Sequence, residues 1–278
     1  MTDPLWIDRG CHRTWLKWHR ARRHAGDPAF TGARILEAMR LGASVEVDLV
    51  VHGDHGFAVL HNLTLEKETT GTGTVRQTGI AALRSLHLRD SDGMVLPDRV
   101  MVLEDLCALL ARDAPRAGGL LQLDYKQDMA ALDPQTLANF GATIGALGRH
   151  MILSGGDFPA VDALAGAAPG LQTGYDPCHG GSLDDLRRTG DFAGWIANAL
   201  TTAPRATLIY LAHDIVLAAD DAGCDIIGAV QAAGRRVDAY TIRRVTPASL
   251  AIVDRLLALL ADQITTDDPE GLCAAYAS

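Results

Sequence analysis

The chain has 278 residues, 48% of them hydrophobic, and a formal net charge of −9 at neutral pH. That is enough apolar material for one large core, and so acidic a balance argues against a nucleic-acid partner, which selects a basic face. Five scattered cysteines form no Cys-x-x-Cys pair, so reduced thiols and a cytoplasmic setting are expected. The N-terminus has no basic-then-apolar leader and no apolar run approaches a membrane span, so no membrane association is expected either.

Taken in chain order, short apolar runs alternate with Ala/Leu-rich segments of helical spacing. "LWIDRGCH" (5–12) predicts a first strand, and "TGARILEAMRLGA" (31–43) a helix that ends on Gly. "SVEVDLVV" (44–51) predicts the second strand. Residues 52–100 then break the rhythm. They hold a short extra strand ending at His61, a Thr/Gly-rich stretch and "DSDGMVLPD", and so predict an insertion ahead of the helix "VLEDLCALLARD" (102–113). Six further strands follow at "GLLQLDYK", "HMILSGG", "LQTGYD", "TLIYLA", "RRVDAYTI" and "DQITTDD", separated by helical stretches such as "PAVDALAGA", "SLDDLRRT", "IIGAVQAAG" and "PASLAIVDRLLALLA". Eight strands alternating with helices predict parallel βαβ units. In a chain of this length they predict a single α/β domain over residues 1–278, a (β/α)8 TIM barrel with a small insertion after strand 2. No Gly-x-Gly-x-x-Gly loop follows the first strand, which counts against a dinucleotide fold.

A barrel of this kind carries its site at the C-terminal ends of its strands. Glu46 and Asp48 are two residues apart on the second strand, so they share a face. Two carboxylates in a partly dehydrated space repel, and a cation between them relieves the repulsion. With Asp124 from the next barrel strand they make a three-oxygen set that suits Mg²⁺ or Ca²⁺, with Mn²⁺ as a further option. The same spacing also fits a charged network with Lys126 or Arg13 and no metal. His12 and His61 are candidates for an acid and a base. Arg13 and Lys126 suit an anionic substrate. Together these residues point to phosphoryl chemistry. The basic stretch "KWHRARRH" (17–24) reads either as a solvated face or as a rim over the substrate, with Trp15 and Trp18 as stacking surfaces. His179 and His213 stand after strands that reach the same end. Asp267 and Asp268 are expected to fix the last loop.

The ordered segments "CHR", "VEVD", "GDHG", "FAVLHN", "ETTGTGTV", "VLPDRVMVLEDLCALL", "LQLDYK" and "QITTDDPEGL" resemble the glycerophosphodiester phosphodiesterase family along nearly the whole chain. The resemblance implies a metal held by Glu46, Asp48 and Asp124, acid/base roles for His12 and His61, and Arg13 and Lys126 on the phosphate. Tyr240 stands where the family often places a substrate-side Trp. The implied reaction is cleavage of a small phosphodiester into an alcohol and a phosphomonoester, by water or by a neighbouring substrate hydroxyl. Similar barrels release cyclic phosphates, and a barrel that only binds a phosphorylated ligand is a further alternative. The chain departs from the family pattern at Thr14, which follows "HR" in place of Gly, at Asn62 in place of Asp, and at Asp124 in place of Glu.

Overall fold

The computed structural model describes residues 3–112 and 118–277. It opens with strands β1 (Trp6–Arg9) and β2 (His12–Trp18), an antiparallel hairpin in which Arg9 pairs with His12. Gly10, at φ +62°, takes the left-handed conformation that so tight a turn requires. Helix α1 (Gly32–Leu41) leads to β3 (Ser44–Val51), and β4 (Phe57–Val59) folds back antiparallel on β3. Between β4 and helix α3 (Leu103–Ala111) come the short helix α2 (Ile80–Ser85) and a two-stranded ribbon, β5 (His87–Arg89) with β6 (Val95–Arg99). The sequence helix at 102–113 accordingly forms, although Asp113 lies outside the described residues.

From β7 (Leu121–Tyr125) the strand–helix alternation is regular. α4 (Pro134–Ile144), β8 (Met151–Gly155), α5 (Phe158–Ala167), β9 (Gln172–Tyr175), α6 (Gly180–Thr189), α7 (Phe192–Thr202) and β10 (Leu208–Ala212) follow in turn. α8 (His213–Asp221), α9 (Ile226–Ala232), β11 (Arg236–Ile242), α10 (Pro247–Ala258), β12 (Gln263–Thr266) and α11 (Pro269–Tyr276) complete the chain. The helix starts are written locally. Asp133, Asp157, Asp191, Asp225 and Asp268 each accept a first-turn N–H of α4, α5, α7, α9 and α11. Each thereby satisfies a donor that has no partner within its helix.

Strands β2, β3 and β7–β12 form one parallel sheet, and it closes because β2 pairs with both β12 and β3. This is the expected TIM-type barrel, with one correction. The first barrel strand is His12–Trp18, not 5–12. "WIDR" is instead the outer partner of a hairpin, and its Asp8 and Arg9 are solvent-exposed while Leu16, Lys17 and Trp18 are buried. Trp15 to Trp18 stand in register with Gln263 to Thr266 of β12. The C-terminal end of the first barrel strand is thereby moved to Trp18.

Part of the barrel interior is polar. Lys17 Nζ lies 2.9 Å from Asp238 Oδ2 and 4.3 Å from the centre of the Tyr210 ring, and it donates to Gln122. Gln122 donates to Ser154 Oγ (2.8 Å), which donates to Asp124 Oδ1 (2.6 Å). Thr265 donates to the other oxygen of Asp238 at 2.5 Å. A buried Lys and a buried Asp are tolerable together because each compensates the other's charge. Among the described residues no helix is long and apolar enough to cross a membrane.

Candidate active site

His12 and Arg13 do not reach the C-terminal mouth of the barrel. They sit at the N-terminal end of β2. There His12 Nε2 is 3.1 Å from the carbonyl of Ala261, and Arg13 pairs with Asp8 at 2.8 Å and stacks on Trp6. A second His-Arg pair stands at the mouth: His19 and Arg20, directly after Trp18. Arg20 (φ 52°) and Ala21 (φ 56°) are both in the left-handed region, a strain of roughly 1 kcal/mol or more each for residues with a Cβ. Glu46 holds the turn by accepting the Arg20 backbone N–H at 2.7 Å. Asp267 accepts from His19 Nδ1 at 2.7 Å and from Arg22 at 2.9 Å. With Nδ1 committed as a donor to a carboxylate, Nε2 of His19 is the basic nitrogen left available. Burial pulls the His19 pKa down, and Asp267 offsets part of that.

The basic stretch 17–24 is not a solvated face, and only His19 and Arg20 of it stand at the rim of the mouth. Lys17 is inside the barrel, and Arg23 binds Glu37 (2.5 Å) and Glu270 (2.7 Å). Trp18 is fully buried, and Trp15 packs edge-on against Trp6 beneath the barrel.

The parallel register of β3 and β7 aligns Asp48 with Asp124 and Glu46 with Gln122. Glu46, Asp48 and Asp124 each offer a carboxylate oxygen, and these oxygens lie within 4.8 Å of one another. Asp48 is fully buried. Lys126 Nζ approaches its Oδ1 to 2.7 Å and Arg20 Nε its Oδ2 to 3.3 Å, yet neither oxygen receives a hydrogen bond of normal geometry. Burial and the neighbouring Glu46 push the Asp48 carboxyl up to about 6, against the pull of Lys126 and Arg20. Asp124 is also desolvated, but Lys126 and Ser154 more than compensate and hold it at about 2. Lys126 is held firmly in its charged form by Asp124 and Asp48, against its own desolvation. Three carboxylates thus face two cations. A buried carboxylate without hydrogen bonds, among hard oxygen donors, fits a divalent ion of the Mg²⁺ or Ca²⁺ type.

His61 follows β4 and lines the same cavity of about 200 Å³ as His19, Arg20, Glu46, Asp124 and Lys126. Its loop is pinned by Glu68, whose Oε2 accepts the backbone N–H of His61 (3.1 Å) and of Asn62 (2.8 Å). The Asn62 amide oxygen is 3.4 Å from His61 Nδ1, a weak contact. Burial lowers the His61 pKa, and nearby Asp48 partly restores it. Tyr240, His179 and Arg243 form the far side of the cavity. Asp176 binds this side together, accepting from Tyr240 Oη (2.7 Å), His179 Nε2 (2.8 Å) and the Cys178 backbone (2.8 Å). His213 opens helix α8 and is not among the cavity's lining residues. Sequence reasoning did not place His19, Arg20 and Arg243 at the mouth, and it gave Asp267 only a loop role. The signal for His19 was the long gap from His12 to Glu46, which contains a second His-Arg.

Fold and site together define a TIM barrel with a carboxylate cluster and basic side chains at its mouth. No protein-family model and no curated protein sequence matches the chain. Solved structures of glycerophosphodiester phosphodiesterases share its fold. The enzyme from Agrobacterium tumefaciens is 20% identical with a TM-score of 0.66, over 95% of this chain and 100% of that one. A phosphodiesterase from Oleispira antarctica, in complex with the product sn-glycerol-3-phosphate, is 18% identical with a TM-score of 0.64, over 95% and 96%. The Thermotoga maritima glycerophosphodiester phosphodiesterase is 14% identical with a TM-score of 0.62, over 95% and 99%.

Proposed function

We propose that this chain is a divergent glycerophosphodiester phosphodiesterase, a phosphoric diester hydrolase that cleaves a small diester into an alcohol and a phosphomonoester. The observation that carries the reading is the convergence of Glu46, Asp48 and Asp124 with Arg20, Lys126, His19 and His61 around one cavity. The whole chain is read as one such domain, with residues 52–100 as an insertion that delivers His61. Glu46, Asp48 and Asp124 would hold a divalent ion, which supplies charge neutralisation at phosphate oxygens.

The protein's own residues account for the rest. Arg20 and Lys126 draw the phosphate into the mouth and offset charge that shifts onto its oxygens in the transition state. Asp267 fixes the His19 ring so that Nε2 takes the proton of the attacking water as its oxygen bonds to phosphorus. As the ester bond to the alcohol breaks, His61 gives a proton to the departing oxygen. The negative diester beside it favours the imidazolium that this step needs. Tyr240, held by Asp176, forms the wall on the alcohol side.

Phosphorus NMR of glycerophosphodiester incubations, with and without chelator, tests the reading. A monoester that forms only with Mg²⁺, Ca²⁺ or Mn²⁺ present is expected. A cyclic product, or turnover indifferent to chelation, would refute it.

A further inference from the structure

We infer that Arg243 selects diesters whose alcohol half carries a second negative charge, an inference that rests on the phosphodiesterase reading above. Arg243 follows β11 directly at the C-terminal mouth, is exposed, and lines the same cavity as His19 and Lys126. Among the described residues its guanidinium has no hydrogen-bond or ion-pair partner, whereas Arg20 and Lys126 both lie against Asp48. It is therefore a cation at the mouth that the protein does not itself neutralise.

The neighbouring groups leave little to attract a positive headgroup. Recognition of an ammonium calls for a free carboxylate or open aromatic faces. Asp176 is the acid on this side of the cavity, and Tyr240, His179 and the Cys178 backbone occupy it. That hydrogen bond to Asp176 raises the His179 pKa against burial, and it leaves Asp176 no free oxygen for a positive headgroup. One face of Tyr210 is covered by Lys17, which leaves Tyr240 as the other aromatic ring among the cavity's lining residues, short of the several open faces that cage an ammonium. The electrostatics of the alcohol side are those of an anion subsite, and a carboxylate, sulfate or phosphate can be gripped by the two-pronged guanidinium.

Three matched probes test this: glycerol 3-phosphate esterified to glycolate, to ethylene glycol and to ethanolamine. With an activating divalent metal, kcat/KM for the glycolate diester is expected to exceed that for the ethanolamine diester about tenfold, mainly through KM. Arg243→Glu should reverse that order and Arg243→Lys should keep it, with circular dichroism confirming that both variants fold. A wild-type preference for ethanolamine, or an order unmoved by Arg243→Glu, overturns the assignment. Turnover of none of the three with Mg²⁺, Ca²⁺ or Mn²⁺ overturns the phosphodiesterase reading instead. Calorimetric titration of the same probes then decides Arg243: tighter binding of the glycolate diester upholds the assignment, and equal affinities overturn it.

Discussion

Replacing each of the two His-Arg histidines by alanine separates two descriptions of the same chain. Strand β2 runs from His12 to Trp18, so at about 3.3 Å per residue His12 sits roughly 20 Å along the strand from its mouth end. Among the described residues its side chain makes one hydrogen bond, to the carbonyl of Ala261. His12→Ala should cost about 1 kcal/mol of stability. For a chain of this size that is a drop of about 2 °C in melting temperature, with turnover unchanged. His19→Ala removes the proposed base while Asp267 keeps its ion pair with Arg22 at 2.9 Å. The fold should therefore hold while kcat falls by about 10² to 10⁴. Release of glycerol 3-phosphate measured on both purified variants, beside their melting curves, gives the answer. A large loss of turnover in His12→Ala at an unchanged melting temperature would refute the register argued here, as would near-normal turnover in His19→Ala.

Three further outcomes are expected. Asp267→Asn keeps an acceptor for His19 Nδ1 but removes the charge that holds the His19 pKa up. kcat should fall about tenfold and the acid limb of the pH–rate profile should move to lower pH; an unmoved limb counts against the pairing. The Asp48 carboxyl, at about 6 in the metal-free protein, holds a proton below that pH which an incoming ion must displace. Apparent metal affinity should thus be flat above about pH 7 and fall about tenfold by about pH 5, read by calorimetry. Constant affinity over that interval would contradict the burial argument. Gly141→Ala should gain about 1 kcal/mol if helix propensity decided. The new Cβ would lie 2.2 Å from the carbonyl of Ala167, however, so a net loss in denaturant unfolding is expected.

The strand–helix alternation carried the barrel, because parallel strands covered on both faces keep their apolar character residue by residue. Glu46 and Asp48 were equally legible, since period two puts them on one face whichever register the neighbouring strand adopts. The first barrel strand was not. An antiparallel hairpin strand such as "WIDR" and a parallel barrel strand look alike over four residues, and only the pairing with β12 and β3 distinguishes them. That one slip put His12 and Arg13 at the mouth where the structure has His19 and Arg20, and it left the basic stretch open to reading as a solvated face or a rim. Arg243 left no local signal: its interest lies in the absence of a partner among the described residues, which only tertiary packing reveals.

The Lys17–Asp238 pair inside the barrel restricts how this sequence can change. Each side chain is almost wholly inaccessible and lies 2.9 Å from the other. Replacing either alone strands a bare charge, at a cost of about 3–5 kcal/mol, whereas replacing both with apolar residues removes that charge and leaves only the smaller cost of Gln122 and Thr265 without their partners. Either position mutated singly leads to a poorly folded intermediate, so the two are expected to be inherited and exchanged together. A double-mutant cycle would read that linkage as a large coupling energy.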